Sequence, residues 1–241
     1  MKIFFLNLCF LICCQSFSQT STASIGDDFK LMSSYSGGNA NGYSVIPTYK
    51  SNNIEGSPFF SPNWMPGSVT TKDSKVFSSQ LLFMFDEFDN SLYYKKNDTG
   101  ATMKIDLNQV SSFTLNSDKP HLFMPADFFS KDYTGQFFEV LVFNNKYSLL
   151  KLSQITLQKP AYSEINQVVN NEQSSKFVTK VSYFIYTNGV LQPAELKKKS
   201  FPKALNGSDV DKAEAYIKNN SGNFNETYVT NMIDEINKPG Q

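Results

Sequence analysis

The amino-acid sequence predicts an α+β protein that is mostly β: an antiparallel meander or curled sheet with a C-terminal hairpin, and two or three C-terminal helices. Short apolar runs, rich in aromatic and β-branched residues, recur roughly every ten residues between turn residues. Asn188-Gly189 stands between two such runs, and this pair favours a hairpin because both residues tolerate the positive φ of a type I′ turn. From Ser208 onward the apolar residues follow a helical period instead.

Residues 1–18 have the features of a secretory signal peptide. Lys2 provides the positive charge, residues 3–14 are apolar apart from one asparagine, and Ser16 and Ser18 are small residues ahead of a cleavage site. The apolar stretch is shorter than the roughly 20 residues that a membrane-spanning helix needs. We therefore expect no stable transmembrane span after processing, and a mature chain that is periplasmic or secreted.

The cysteines lie only in this first segment, at Cys9, Cys13 and Cys14. A lipoprotein is the less favoured alternative, because no small residue stands directly ahead of Cys13 or Cys14. A processed chain would have no thiol, which excludes disulfides, thiolate metal sites and cysteine nucleophiles. The fold must then depend on its apolar core.

The charge composition argues against a nucleic-acid partner. The 22 basic residues balance 22 acidic residues, every basic residue is a lysine, and the longest basic run is Lys197–Lys199. Nucleic-acid binding relies on clustered cations that displace counterions. Without arginine, the chain also lacks the planar group that binds phosphate through two hydrogen bonds.

The chain divides into four parts by composition. After the signal peptide at 1–18, residues 19–56 form a polar segment that we expect to be flexible, with room for one strand late in it. Residues 57–160 form an antiparallel β domain, and residues 161–241 form a linker, a hairpin and C-terminal helices that pack on the sheet. The predicted strands include residues 76–77, 81–85, 92–94, 103–107, 113–115, 137–143, 147–152, 181–186 and 190–196.

The C-terminal part has signals for two helix starts. Ser208 is a candidate N-cap with Asp211 in the capping-box position. A second helix is expected to begin near Asn225. Residues 160–176 are polar and predict a linker or a short helix.

The densest acidic cluster is Asp86, Glu87 and Asp89, between two predicted strands. Aspartate, asparagine and serine favour turns, so residues 86–91 predict a turn with solvated carboxylates. Replacing one of these charges should then change stability by no more than about 0.5 kcal/mol. A Ca²⁺ site is the alternative, but the segment lacks the alternating aspartates of a calcium loop.

Catalytic signals are sparse. His121 is the only histidine, no Gly-x-Ser-x-Gly motif is present, and we interpret His121 as a loop or strand-edge residue. Glu87, Asp127 and Glu139 could be paired as glycosidase carboxylates, but sequence spacing cannot establish such a pair. Glu139 interrupts an apolar run and is expected to face solvent. The sequence therefore assigns no catalytic residue, no cofactor-binding residue and no metal ligand.

Trp64, the only tryptophan, suggests a carbohydrate-binding alternative, because sugars stack on exposed aromatic rings. In that version, Asp86, Glu87 or Glu139 would supply the acidic groups. Phenylalanine dominates the aromatic residues, with 22 Phe against 12 Tyr, and this balance favours core packing.

A family resemblance rests on four segments: Gly56-Ser57-Pro58-Phe59-Phe60, Asn63 to Val69, Phe138-Glu139-Val140-Leu141 and Tyr147 to Lys151. Together they resemble a group of exported β-rich proteins of Bacteroidota with a Gly-x-Pro opening, a Phe-Glu-Val-Leu hairpin and C-terminal helices. The resemblance spans about residues 56 to 237 and implies an envelope location and a β-then-α order. It implies no activity.

The sequence thus favours an exported, non-enzymatic protein that binds another protein or an envelope polymer. The alternative is a carbohydrate-binding or carbohydrate-active protein that uses Trp64 and nearby carboxylates.

Overall fold

The computed structural model describes residues 54–78, 80–96, 101–159 and 174–239. The predicted signal peptide, the polar segment up to residue 53 and residues 160–173 of the predicted linker lie outside the described residues. Within them, the predicted fold class is confirmed: one curled, open sheet of 12 strands is followed by two C-terminal helices. No helix in the described ranges is both long and apolar enough to cross a membrane.

The strands are β1 (Ile54–Glu55), β2 (Met65–Thr71), β3 (Val76–Phe77), β4 (Leu82–Asp86), β5 (Ser91–Lys95), β6 (Met103–Lys104), β7 (Val110–Asn116), β8 (Pro120–Pro125), β9 (Phe137–Val142), β10 (Ser148–Gln158), β11 (Ser175–Thr187) and β12 (Val190–Ala194). Among the described residues, the helices are α1 (Ser208–Asn219) and α2 (Glu226–Asn237), and four short 3₁₀ helices cover Leu107–Gln109, Ala126–Phe128, Lys131–Tyr133 and Phe201–Ala204.

The sheet order is β1-β11-β10-β9-β8-β7-β2-β4-β5-β6, with β12 also paired to β11 and β3 to β2. All pairs are antiparallel except β1 with β11. The predicted Asn188-Gly189 hairpin is present: β11 and β12 flank the two residues, whose φ values are 50° and 79°. β11 begins at Ser175, within the stretch that the sequence predicts as a linker or helix, so that prediction is wrong from this residue onward.

Strand alternation divides the apolar side chains among three cores. The first lies on one face of β2, β4, β5, β7 and β8, and includes Phe83, Phe113 and Phe123. The second lies under the two helices, where Leu149 and Ile185 contact helix residues. Phe138, Leu150, Leu152 and Phe184 belong to the third, which lies on the opposite face of β9, β10 and β11.

Both helices contribute side chains to the second core, together with residues of β10 and β11. Asn225 caps α2, its side chain accepting the N–H of Tyr228 at 3.0 Å. The predicted Ser208 cap is wrong, because Ser208 is the first residue of α1 and Gly207 precedes it without a side-chain cap. Lys146 fixes both helices to the turn before β10: its Nζ donates to Asp209 at 2.9 Å and to the carbonyl of Ile236 at 3.0 Å.

Candidate functional site: a charged network and an open sheet edge

A network of charged side chains crosses the sheet face between the first and second cores. Nζ of Lys151 lies 2.9 Å from Oε2 of Glu139 and 3.1 Å from Oε2 of Glu226, the first residue of α2. The hydroxyl of Tyr183 donates to Glu226 at 3.2 Å. Lys151 pairs in register with Glu139 on one side and with Tyr183 on the other, so the three side chains share one face. With His121, these residues are called the charged network below.

The network is largely shielded from water. The exposed side-chain fraction is 5% for Glu139, 19% for Lys151 and 26% for Glu226. Burial by itself lowers the pKa of Lys151, but the charges and hydrogen bonds of Glu139 and Glu226 outweigh it and hold the pKa above its usual value. Lys151 is therefore charged at neutral pH and joins α2 to the sheet.

His121 extends the network to the hairpin between β7 and β8. Its Nδ1 lies 2.6 Å from Oε1 of Glu139, and its Nε2 lies 3.2 Å from Oγ of Ser117, in the connecting loop. The ring also contacts Phe60 edge to face, with ring centroids 5.0 Å apart. The sequence predicts a loop or strand-edge residue, whereas His121 lies one residue inside β8, in register with Leu115 of β7. No sequence pattern indicated that Glu139 and Ser117 would be the partners of His121.

The sequence expectation for Glu139 is wrong, because this side chain is buried. A signal for its partner was nevertheless present. Asn145 lies in the turn-forming segment between the two apolar runs, and Glu139 and Lys151 are the same number of residues away from it in sequence. A hairpin centred there places opposite charges side by side, and cross-strand ion pairs of this kind are a common way to bury a charge. Glu226 lies too far along the chain for a similar argument.

The acidic turn is confirmed, but Asp86 and Glu87 are not the solvated carboxylates that the sequence predicts. β4 ends at Asp86 and β5 begins at Ser91. Asp86 is not solvated: it is fully buried, and Oδ1 accepts the backbone N–H groups of Phe88 at 3.0 Å and Asp89 at 2.9 Å. These bonds close the turn from inside. The described residues contain no group of three or more histidine, cysteine, aspartate or glutamate side chains placed to hold a metal ion.

Glu87 of the same turn lies close to the charged network. Burial raises its pKa, although a hydrogen bond with Ser153 and the charge of Lys151 act in the opposite direction. The negative charge of Glu139 raises the pKa further. The structure therefore brings together Glu87 and Glu139, two of the carboxylates considered from the sequence. Asp127 is exposed in a 3₁₀ helix and is not among the network's contacts.

Trp64 does not join these carboxylates. The ammonium group of Lys95 lies 4.7 Å from the centre of its ring. Lys95 pairs with Leu82 at the start of β4, whereas the acidic turn follows the end of that strand at Asp86. At the usual rise of about 3.4 Å per residue, Leu82 and Asp86 are separated by roughly 14 Å of strand. The arrangement does not combine an aromatic platform and an acidic pair in one site.

The second notable feature is an open stretch in the edge of β11. On the side of β11 away from β10, β1 pairs with Ser175 and Lys176, and β12 pairs with residues 183–187. No described strand pairs with residues 178–182 on that side. Along this stretch Val178 is 38% exposed and Val181 is 43% exposed. We call residues 178–182 the open edge.

The hairpin geometry establishes which main-chain groups face the open edge. A two-residue type I′ loop closes on a hydrogen-bonded pair, here Thr187 and Val190. Hydrogen bonding alternates along a strand, so Ile185 and Tyr183 also bond toward β12. By the same alternation, Thr179 and Val181 direct their N–H and C=O groups away from β10, into the open edge.

A cavity of about 470 Å³ lies where β12 ends beside the open edge. Its lining includes Tyr133, Val181, Tyr183, Pro193 and Leu196. Tyr183, whose hydroxyl bonds to Glu226 in the charged network, also borders this cavity. The size falls within the range of ordinary ligand pockets.

Comparison with known proteins gives no relative: no family model matches the chain, and no curated protein or solved structure matches it.

Proposed function

We propose that the protein is an exported binding protein of the cell envelope, and that it binds an extended peptide segment of a partner protein along the open edge of β11. Export is motivated by the signal-peptide features of residues 1–18. The observation that carries the binding proposal is the gap between β1 and β12 on one side of β11. An added strand would satisfy the main-chain groups of Thr179 and Val181, as in other cases of strand addition.

The gap favours a short peptide over a second copy of the chain. It spans residues 178–182, or about 17 Å at the usual strand rise. In an edge-to-edge dimer, the 13-residue β11 of a second copy would occupy the layer where β1 and β12 already lie, and would collide with both. A segment of about five residues fits between them. Because β1 and β12 flank the gap, they also limit edge-to-edge association between sheets of different molecules.

The side chains around the gap indicate the composition of the partner segment. Val178 and Val181 are exposed apolar groups on opposite faces of the strand. Lys176 and Lys180 are exposed cations within or beside the gap. The segment that fits best is extended, β-branched and acidic: its apolar side chains would contact the valines, and its carboxylates would face the lysines.

A display screen tests the proposal directly. Random eight-residue peptides are selected on the chain without residues 1–18, and the dissociation constants of the selected peptides are measured for two variants. Val181→Pro removes the N–H group that faces the gap, at a position where an edge strand tolerates proline. Val181→Thr keeps that N–H group and is the matched control.

We expect β-branched, acidic peptides that bind the Val181→Thr variant nearly as well as the native chain. The Val181→Pro variant should bind them at least about tenfold more weakly, because one main-chain hydrogen bond is worth roughly 0.5–1.5 kcal/mol and proline also disturbs its neighbours. Selected peptides that bind both variants equally would place the binding surface elsewhere and contradict the proposal.

A further inference from the structure

Ser117, His121 and Glu139 have the geometry of a serine nucleophile with its base and orienting carboxylate. Oγ of Ser117 lies 3.2 Å from Nε2 of His121, and Nδ1 of the same ring lies 2.6 Å from Oε1 of Glu139. Both distances fall within the range expected between a nucleophile, its base and the group that orients the base. Glu139 is buried and fixes the ring from inside, whereas Ser117 is exposed in the hairpin loop.

Asp118 occupies the place next to this serine. Oγ of Ser117 donates to Oδ1 of Asp118 at 2.6 Å. Hydrogen bonds from this hydroxyl and from the backbone N–H groups of Asp118 and Lys119 lower the pKa of the Asp118 carboxyl. Two adjacent backbone N–H groups beside a serine oxygen are the kind of donors that stabilise an oxyanion during acyl transfer. In this structure the carboxylate of Asp118 accepts the serine proton and lies beside both N–H groups.

We infer that Ser117, His121 and Glu139 form a catalytic triad for carboxylic esters, and that Asp118 blocks its oxyanion position in the state described. The inference goes beyond the proposed binding function. If it holds, the sequence-based expectation of a non-enzymatic protein is wrong. The site is at the tip of an exposed hairpin, so esters carried on a polymer or a large molecule have access to it.

Hydrolysis of a carboxylic ester at this site requires only these three side chains and water. Oγ of Ser117 bonds to the ester carbonyl carbon as Nε2 of His121 takes the hydroxyl proton, and the imidazolium is stabilised by Glu139. The bond from the carbonyl carbon to the leaving oxygen then breaks, and the imidazolium gives that oxygen its proton. Water repeats both steps, releasing the carboxylic acid and restoring the serine.

The test uses a fluorophosphonate probe, which forms a bond from Oγ to phosphorus and releases fluoride. Mass spectrometry measures the labelling rate at each serine of the mature chain. Ser200 is the internal control, because its hydroxyl also donates to a carboxylate, that of Glu195 at 3.1 Å, but no described histidine contacts it. The variants are Ser117→Ala, His121→Asn and Asp118→Ala, each checked for native circular dichroism.

We expect Ser117 to react faster than Ser200, and His121→Asn to reduce its rate to that of Ser200. Asp118→Ala should raise the rate at Ser117 at least about tenfold, since it frees both the serine proton and the two N–H donors. If the native chain is unreactive because Asp118 blocks it fully, the Asp118→Ala variant must still react at Ser117. Labelling that shows no preference for Ser117 in either protein, or a preference that survives His121→Asn, would overturn the inference.

Discussion

Strand β11 differs sharply between its two halves. Residues 183–187 lie between β10 and β12, and contribute Phe184 to one core, Ile185 to another and Tyr183 to the charged network. Residues 178–182 pair only with β10 among the described strands, and most of their side chains are exposed. One strand thus has a structural half and an open half. Substitutions should lower stability in the first and alter binding in the second.

The largest expected effect is in the structural half. Phe184 is buried between the rings of Tyr133 and Phe138, with centroids 5.3 Å and 5.4 Å away. Phe184→Ala should lower the free energy of unfolding by about 4 kcal/mol, through lost burial and the cavity it leaves. Val181→Ala, in the open half, should lower it by no more than about 0.5 kcal/mol. Urea unfolding measures both values, and equal losses would contradict the division of the strand.

The charged network should give the next largest effect. Lys151→Met leaves Glu139 and Glu226 without their shared cation and should lower the free energy of unfolding by about 3 kcal/mol. This value is at the lower end of the range for a buried ion pair because the site is partly exposed. Adding Glu139→Gln removes one uncompensated charge, so the double variant should be more stable than Lys151→Met alone. Lys180→Met in the open half is the control, with an expected change within about 0.5 kcal/mol. Chemical denaturation of the native chain, the Lys151→Met, Glu139→Gln and double variants and the Lys180→Met control tests the coupling. Additive effects of the two single substitutions would argue against a shared network.

The acidic turn packs beside the open half, where the rings of Phe88 and Phe177 meet at 5.3 Å. Asp86→Ala removes the acceptor of two backbone N–H groups and should cost about 1–3 kcal/mol. Asp89→Ala removes an exposed charge from the same turn and should cost no more than about 0.5 kcal/mol. Thermal melts of both variants measure the two stability losses. Equal losses would restore the simpler expectation of solvated carboxylates.

The smallest effect concerns pH. Because the folded-state pKa of Glu87 is raised above 4.5, ionising this group costs folding free energy at pH values above that raised pKa. Glu87→Gln should therefore gain stability relative to the native chain at pH 7. The gain should diminish as the pH falls through the raised pKa and disappear below 4.5, where Glu87 is protonated in both the folded and the unfolded state. A gain that is independent of pH would mean that ionisation of Glu87 is not its cause.

The sequence predicts the sheet better than the site, for a physical reason. The runs around Asn145 and Asn188-Gly189 specify their hairpins through local turn chemistry and alternation, and both hairpins are present. The acidic turn was also predictable from composition. The burial of Asp86 was not, because it depends on the chain at residues 58–60, which the turn contacts through backbone hydrogen bonds.

The site depends on pairings that are distant in sequence. Glu226 meets Lys151 only because α2 returns over the sheet, and the open edge exists only because β1 and β12 stop short on the same side of β11. Neither the ion pair nor the open edge corresponds to a local pattern in the sequence. Ser117 and His121 are close in sequence, but their contact depends on the register of the β7–β8 hairpin, and the orientation of the ring depends on Glu139 on the next strand, β9.

The proposed binding function is tested most directly by residue-resolved amide hydrogen exchange, measured by NMR with and without a peptide from the display screen. In the free chain, the amides of Thr179 and Val181 should exchange much faster than those of Tyr183 and Ile185, which bond toward β12. A saturating peptide should slow exchange at Thr179 and Val181 by at least about tenfold and leave Ile185 unchanged. Slow exchange at Thr179 and Val181 in the free chain, or no protection there when the peptide is bound, would contradict the account.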